Sequence, residues 1–170
     1  RKQLPIYIGH DGYLYTDKSE RNLEILYKVV KQKPNHSYYI YQLAHTLFVA
    51  KKHQEADLYY RQYYKISKVN ESYRCGAIVD YLYNSMAIGK IEEGLKIIQA
   101  EEKRYSTSSD FHFVCGHFYR ELVLYDTNKY INYLPYIEKS FLRCLEIGEN
   151  DASEGVIGTG SFEAAYNLAA

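Results

Sequence analysis

Residues 34–68, PNHSYYIYQLAHTLFVAKKHQEADLYYRQYYKISK, decide the fold of this 170-residue chain. Small Ala44 lies in the first half of the stretch, and Ala56 comes twelve residues later. Tyr60 and Tyr63 follow Ala56 at four and seven residues, on one face of a helix. Small residues let two antiparallel helices approach closely, and large ones fill the space to the next pair. The stretch therefore predicts a helical hairpin.

Thirty-four residues separate Pro34 from Lys68. A unit of this length with these small and large positions resembles the tetratricopeptide repeat, or TPR. The sequence predicts an all-α fold, a TPR-like right-handed solenoid of helical hairpins that follows a short non-helical segment. A repeat scaffold of this kind binds partners and seldom does chemistry, so we expect a binding or assembly function.

Apolar residues at helical spacing predict the helices of the solenoid. In the second hairpin Gly94 takes the place of Ala56, 38 residues on, but the small position of the first helix falls on Leu82 and leaves the register open. In the third hairpin Gly116 is the small residue, and about nine residues are inserted within 124–134. The predicted helices span about 20–33, 37–50, 53–67, 72–88, 91–104, 109–125, 135–147 and 161–170.

Composition excludes several classes of partner. The chain has 21 basic and 21 acidic residues, whereas a nucleic-acid groove or a polybasic membrane patch needs clustered positive charge. No apolar run approaches the roughly 18 residues of a spanning helix. Cys75, Cys115 and Cys144 are odd in number and form no CxxC pair, which favours free thiols in a reducing cytoplasm. We therefore expect a cytoplasmic protein that binds neither nucleic acid nor membrane.

Tyrosine accounts for 21 of the 170 residues. Its ring has an apolar face and a polar tip, which suits stacking on a sugar or a peptide. Many of these tyrosines fall on core positions of the repeats, so packing is the simpler interpretation.

The concave face of the solenoid is the expected binding groove. In TPR geometry, positions two, five, nine, twelve and thirteen of each first helix line it. These positions hold Tyr38, Tyr41, His45, Phe48 and Val49 in the first hairpin, and Asp110, Phe113, His117, Arg120 and Glu121 in the third. An aromatic, lightly charged groove favours an apolar or aromatic segment, from a neighbouring domain or a second copy. An empty groove is the alternative.

The spacing of the reactive residues predicts no catalytic set and no cofactor in this chain. Residues 158–160, GTG, lack the third glycine and the preceding strand of a phosphate-binding loop. His112 and Cys115 are three residues apart and share a helix face, but zinc needs four ligands at defined spacing. Helix packing is the simpler role for both.

The N-terminal part carries a family resemblance. The run IYIGHDGY at 6–13, followed by RNLEIL at 21–26 and Pro34, resembles the bacterial family 2 glycosyltransferases with C-terminal TPR repeats, a group that includes the sublancin-type peptide S-glycosyltransferases. In that family a GT-A catalytic domain ends in a strand and a His-x-Gly-Tyr turn, and an Arg-Asn-Leu helix begins the repeats. Ser161, Phe162 and the pair Asn167-Leu168 also fit that pattern.

The resemblance implies that residues 1–16 are the junction from an upstream catalytic domain and that 17–170 are the repeat domain. The parent enzyme would use a divalent metal and a nucleotide-sugar, held by an Asp-x-Asp motif that is absent from this sequence. His10 alone matches a residue that could reach the active site, beside the metal or the diphosphate. A turn histidine without a role is the alternative.

Three functions are compatible with these observations. The first is a non-catalytic interaction or dimerisation domain of a glycosyltransferase, which assists acceptor binding or assembly and contacts its own catalytic domain. The second is a stand-alone TPR adaptor for a peptide partner. The third, a peptide sensor of the quorum-sensing type, is disfavoured because such sensors carry more repeats and an N-terminal DNA-binding helix set. An apolar helix face at 161–170 favours a homodimer in each case.

Overall fold

The computed structural model describes residues 19–149 and 155–169, and the regular secondary structure in these ranges is entirely helical. The expected all-α class is confirmed for these residues. The predicted junction 1–16, with His10, lies outside them. The helices are α1 (Ser19–Gln32), α2 (Ser37–Val49), α3 (His53–Ile66), α4 (Arg74–Ala87), α5 (Ile91–Glu101), α6 (Ser109–Tyr125), α7 (Thr127–Tyr130), a 3-10 turn (Ile131–Tyr133), α8 (Leu134–Ile147) and α9 (Phe162–Ala169).

Most of the inserted stretch before α8 is helical. The Asp126 side chain accepts a hydrogen bond from the backbone N–H of Lys129 and so caps α7. Tyr130 then donates to Glu92 of α5 at 2.9 Å, which fixes the short helix against the preceding hairpin. Pro135 lies in the first turn of α8, where its missing N–H costs nothing.

The long helices pack in two ways. Successive helices contact each other along the chain, with α6 against α8 across the inserted turns. In addition, α2, α4 and α6 contact one another in that order. The fully buried side chains between the helices form the core, among them Leu43, Leu47, Tyr60, Tyr63, Ile78, Leu82, Phe111 and Phe118. This arrangement places α2, α4 and α6 side by side.

Two glycines allow helices to approach each other closely. The Phe118 ring of α6 lies on Gly94 of α5, where an added Cβ would meet a ring carbon at 2.4 Å. The Phe141 ring of α8 lies on Gly116 of α6 in the same way, at 2.6 Å. Each glycine therefore provides the space into which an aromatic ring of a neighbouring helix packs.

A buried ion pair joins three helices. The guanidinium of Arg74 donates two hydrogen bonds of 2.8 Å to the carboxylate of Glu101, and both residues are almost fully buried. The hydroxyl of Tyr64 donates to the same carboxylate at 3.0 Å. The hydroxyl of Tyr105 accepts from Arg74 at 3.0 Å. The pair thereby links α3, the start of α4 and the end of α5.

Candidate functional site

Side chains of α2, α4 and α6 meet on one surface. We call it the aromatic face and define it by eight residues: Tyr38, Tyr41 and His45 on α2, Tyr73, Asp80 and Tyr83 at the start of or along α4, and Phe113 and His117 on α6. None of the eight is fully buried. Because α4 lies between α2 and α6, its residues form the middle of this face.

Asp80 is the polar centre of the aromatic face. Its Oδ2 accepts a hydrogen bond from the Tyr41 hydroxyl at 3.1 Å and lies 2.8 Å from Nδ1 of His45. The hydrogen bond to Asp80 outweighs partial burial and raises the pKa of His45 above 6.5. Burial and the charge of Asp80 raise the pKa of Tyr41, which is therefore a hydrogen-bond donor at neutral pH.

Three tyrosine rings contact one another beside Asp80. Tyr41 stacks on Tyr73 with ring centroids 5.8 Å apart and planes 7° from parallel. Tyr38 meets the Tyr73 ring edge-on at 5.4 Å and is 42% exposed. These rings offer a polarisable surface on which a planar or cationic group can stack.

The α6 part of the face is also aromatic. His117 contacts Phe113 edge-on at 4.8 Å and lies 6.5 Å from the ring of Tyr83, centroid to centroid. Burial and the nearby charge of Arg120 lower the pKa of His117, so this imidazole is neutral at pH 7. The two histidines of the face therefore differ, because His45 has a carboxylate partner and His117 has aromatic neighbours.

The structure brings only part of the predicted groove together. Phe48 packs edge-on against His53 at 5.3 Å. Arg120 lies 3.8 Å from Glu121, and its charge lowers the pKa of His117. Asp110 binds another part of the chain, since it accepts from the Thr159 hydroxyl at 2.6 Å and from the backbone N–H of Val156 at 3.2 Å.

Sequence reasoning missed the α4 residues Tyr73, Asp80 and Tyr83. The register of the second hairpin was open because large Leu82 falls on the small position. Leu82 is fully buried, as Ala44 and Gly116 are, so the same register places Tyr83 at position nine, equivalent to His45 and His117. That periodicity was the available signal for Tyr83. Asp80 is at position six, which the five groove positions do not include.

The described thiols and histidines give no sign of reactive chemistry. Burial raises the pKa values of Cys75, Cys115 and Cys144, which keeps these thiols protonated. Among the described residues, no group of three or more His, Cys, Asp or Glu side chains could hold a metal ion. Thr159 of the GTG stretch donates to a carboxylate, which is the wrong charge for a phosphate-binding loop.

A concavity of about 500 Å³ lies between α8 and the end of α5, over α6. Cys115 and Tyr119 are among its lining residues. Its charged rim is balanced, with Lys103, Lys139 and Arg143 against Glu102, Glu138 and Glu146. A rim of mixed charge gives no preference for one class of ligand.

Comparisons with protein-family models, with curated proteins and with solved structures found no match to this chain. No helix in the described ranges is both long enough and apolar enough to cross a membrane.

Proposed function

We propose that this chain is a TPR-like binding region that takes an extended segment of a partner protein across the aromatic face. The observation that carries the proposal is the meeting of α2, α4 and α6 on one surface, with partly exposed aromatic rings grouped around Asp80. Tyrosines provide large contact areas at low entropic cost and are enriched at binding hot spots. Proteins built from helical hairpins bind partners across such a surface.

Two repeating features support the TPR-like arrangement. Ala56 and Gly94 are 38 residues apart, and both are fully or almost fully buried in the second helix of a hairpin. Lys51 and Gly89, also 38 residues apart, both have positive φ in the turn between the helices of a hairpin. Units that share their small positions and their turn are expected to stack in the same orientation.

The partner segment can be found by selection from a displayed library of random peptides. We expect selected peptides to lose at least about tenfold in affinity for the Tyr41→Ala variant, because the ring that stacks on Tyr73 and donates to Asp80 is removed. Tyr125→Ala is the matched control, since Tyr125 is exposed at the C-terminal end of α6 and belongs neither to the aromatic face nor to the exposed face of α9. Failure to select any peptide, or equal losses in both variants, would refute the proposal.

The second part of the proposal concerns the parent protein. The IYIGHDGY run at 6–13 with the RNLEIL run at 21–26 supports a place beside a family 2 glycosyltransferase catalytic domain, with acceptor capture or dimerisation as the role. In that setting a divalent metal and a nucleotide-sugar belong to the catalytic domain. This chain alone is then inactive, and sugar transfer or sugar-nucleotide hydrolysis by the purified chain would contradict the assignment.

Self-association is part of this proposal. Phe162 and Tyr166, one helical turn apart on α9, are both mostly exposed, and Val156 and Ile157 are exposed just before them. An apolar helix face at one end of a stack of hairpins favours pairing with a second copy. Light scattering is expected to show a dimer at high protein concentration, and a strict monomer there would exclude it.

A further inference from the structure

We propose that Asp80 makes the aromatic face a cation-binding site, which takes the guanidinium or ammonium group of an Arg or Lys side chain in the partner segment. This inference rests on the proposed function and specifies the chemistry of the segment. It revises the preference for an apolar or aromatic segment that the sequence suggested.

One oxygen of Asp80 is available to a ligand. The Tyr41 hydroxyl and His45 Nδ1 both contact Oδ2, while Oδ1 accepts no hydrogen bond from the described residues. The Asp80 side chain is 20% exposed, so a ligand can reach it. A carboxylate can accept about four hydrogen bonds. Asp80 can therefore accept from a guanidinium or ammonium donor without losing its present contacts.

Aromatic rings surround this carboxylate. The stacked pair Tyr41 and Tyr73 lies on one side of it, with exposed Tyr38 at the edge. Burial and the charges of Asp110 and Asp80 raise the pKa of Tyr83 to about 12, so its hydroxyl is protonated at neutral pH. A cation beside tyrosine rings gains attraction from their π faces in addition to the ion pair.

The charge of the region complements a cation. Glu71, which accepts hydrogen bonds from Ser37 at 2.6 Å and from Tyr63 at 3.3 Å, adds a second carboxylate next to Tyr73. Asp110 adds a third, on the α6 side of Tyr83. Against these three carboxylates stand two basic side chains: His45, which forms a charged pair with Asp80 when it is protonated, and Arg120, which has Glu121 3.8 Å away. The net negative charge at neutral pH disfavours an acidic segment.

In the part of the chain that the structure describes, the core also holds a polar group without a hydrogen-bond partner, the hydroxyl of Tyr60. The Tyr60 hydroxyl is fully buried and has no hydrogen-bond partner among the described residues. After burial, the charge of Asp80 and the phenol of Tyr41 are the causes that raise its pKa. A buried hydroxyl without a partner is costly. The need of the Tyr60 hydroxyl for a polar neighbour is thus unmet within the described ranges.

An apolar segment would fit this site poorly. It would cover Asp80 Oδ1 without giving it a donor, and burying an unpaired carboxylate oxygen carries a desolvation penalty. A guanidinium group supplies the missing donors and keeps its planar face free to stack on a tyrosine ring. The site therefore favours a cationic side chain over an apolar one.

The test uses peptides selected from the displayed library, each synthesised with Arg and with its neutral isostere citrulline. We expect the selected peptides to contain Arg or Lys, and the change to citrulline to weaken binding about tenfold. This comparison uses the unmodified chain, so folding of a variant does not affect it. In Asp80→Asn the Arg and citrulline peptides should bind equally, whereas Glu138→Gln on α8, a carboxylate outside the face, should preserve the difference.

The outcomes separate the two proposals. Peptides that depend on Tyr41 but lack Arg and Lys, or that bind equally well with citrulline, would overturn the cation site and leave the binding function intact. An undiminished preference for Arg in a folded Asp80→Asn variant would also overturn it. If the library yields no peptide at all, both proposals fail.

Discussion

Lys51 and Gly89 occupy the same place in two successive hairpins. Both have positive φ, 59° and 71°, and the next N–H donates back to the preceding helix in each case, Lys52 to Leu47 and Lys90 to Ser85 at 2.9 Å. Glycine adopts this conformation without strain, while lysine does not. Lys51→Gly should therefore raise the free energy of unfolding by up to about 1 kcal/mol.

Gly89→Ala is the reverse experiment in the second hairpin. A Cβ there would meet nothing within 4 Å, so positive φ is the main cost, about 1 kcal/mol of lost stability. Urea unfolding of both variants measures these changes. An unchanged Gly89→Ala midpoint would show that the turn does not impose the strain described.

His45 reports on the centre of the aromatic face. The hydrogen bond to Asp80 raises its pKa from 6.5, so the charged pair stabilises the fold below pH 6.5 and that contribution is lost as the pH rises through the folded-state pKa. NMR titration of the imidazole should give a pKa above 6.5 in the native chain and a lower value in Asp80→Asn. His117, with a lowered pKa, is the internal control. Identical pKa values for His45 in both chains would exclude the contact.

The close packing of two pairs of helices requires a glycine at the point of contact. In Gly116→Ala the new methyl group would overlap the Phe141 ring, which should lower the free energy of unfolding by about 1–3 kcal/mol despite the better helix propensity of alanine. Gly76→Ala on α4 is the matched control, because its Cβ would lie 3.9 Å from the Tyr41 hydroxyl and cause no overlap. Denaturant unfolding should show a loss for the first variant alone. Equal effects would contradict the packing of α6 on α8.

The Arg74–Glu101 pair connects α3, α4 and α5. Burial opposes ionisation of Glu101, but the hydrogen bonds and charge of Arg74 outweigh it and lower the pKa below 4.5. The pair therefore stabilises the fold above pH 4.5, and the contribution is lost as the pH falls through the folded-state pKa. Glu101→Gln leaves a buried guanidinium without its counter-charge and should cost about 3 kcal/mol at pH 7.

Acid unfolding of the native chain and of the Glu101→Gln variant measures the contribution of this ion pair to stability. The stability of Glu101→Gln should fall less steeply below pH 4.5 than that of the native chain. Parallel pH profiles would mean that the pair does not titrate as described. Glu138→Gln, on the exposed side of α8, gives the profile expected for a carboxylate outside the pair.

On the scale of the whole molecule, the all-helical class could be predicted because apolar spacing is a local property of each segment. The 34-residue pattern predicted small residues where helices pack closely. Gly94 and Gly116 are two of these residues, and an aromatic ring of a neighbouring helix packs on each. The centre of the site could not be predicted in the same way. Asp80 contacts His45 across 35 residues, and Asp110 meets Thr159 across 49. Such pairings depend on how the helices stack, and the spacing of residues within one helix gives no information about that stacking.

NMR mapping with a selected peptide is the decisive measurement for the function. The backbone amide and side-chain signals of the full chain would be followed as the peptide is added. We expect the largest changes on α2, α4 and α6, at Tyr38, Tyr41, His45, Asp80, Tyr83 and His117. Changes confined to the concavity between α5 and α8, at His112, Tyr136 and Arg143, would contradict binding at the aromatic face.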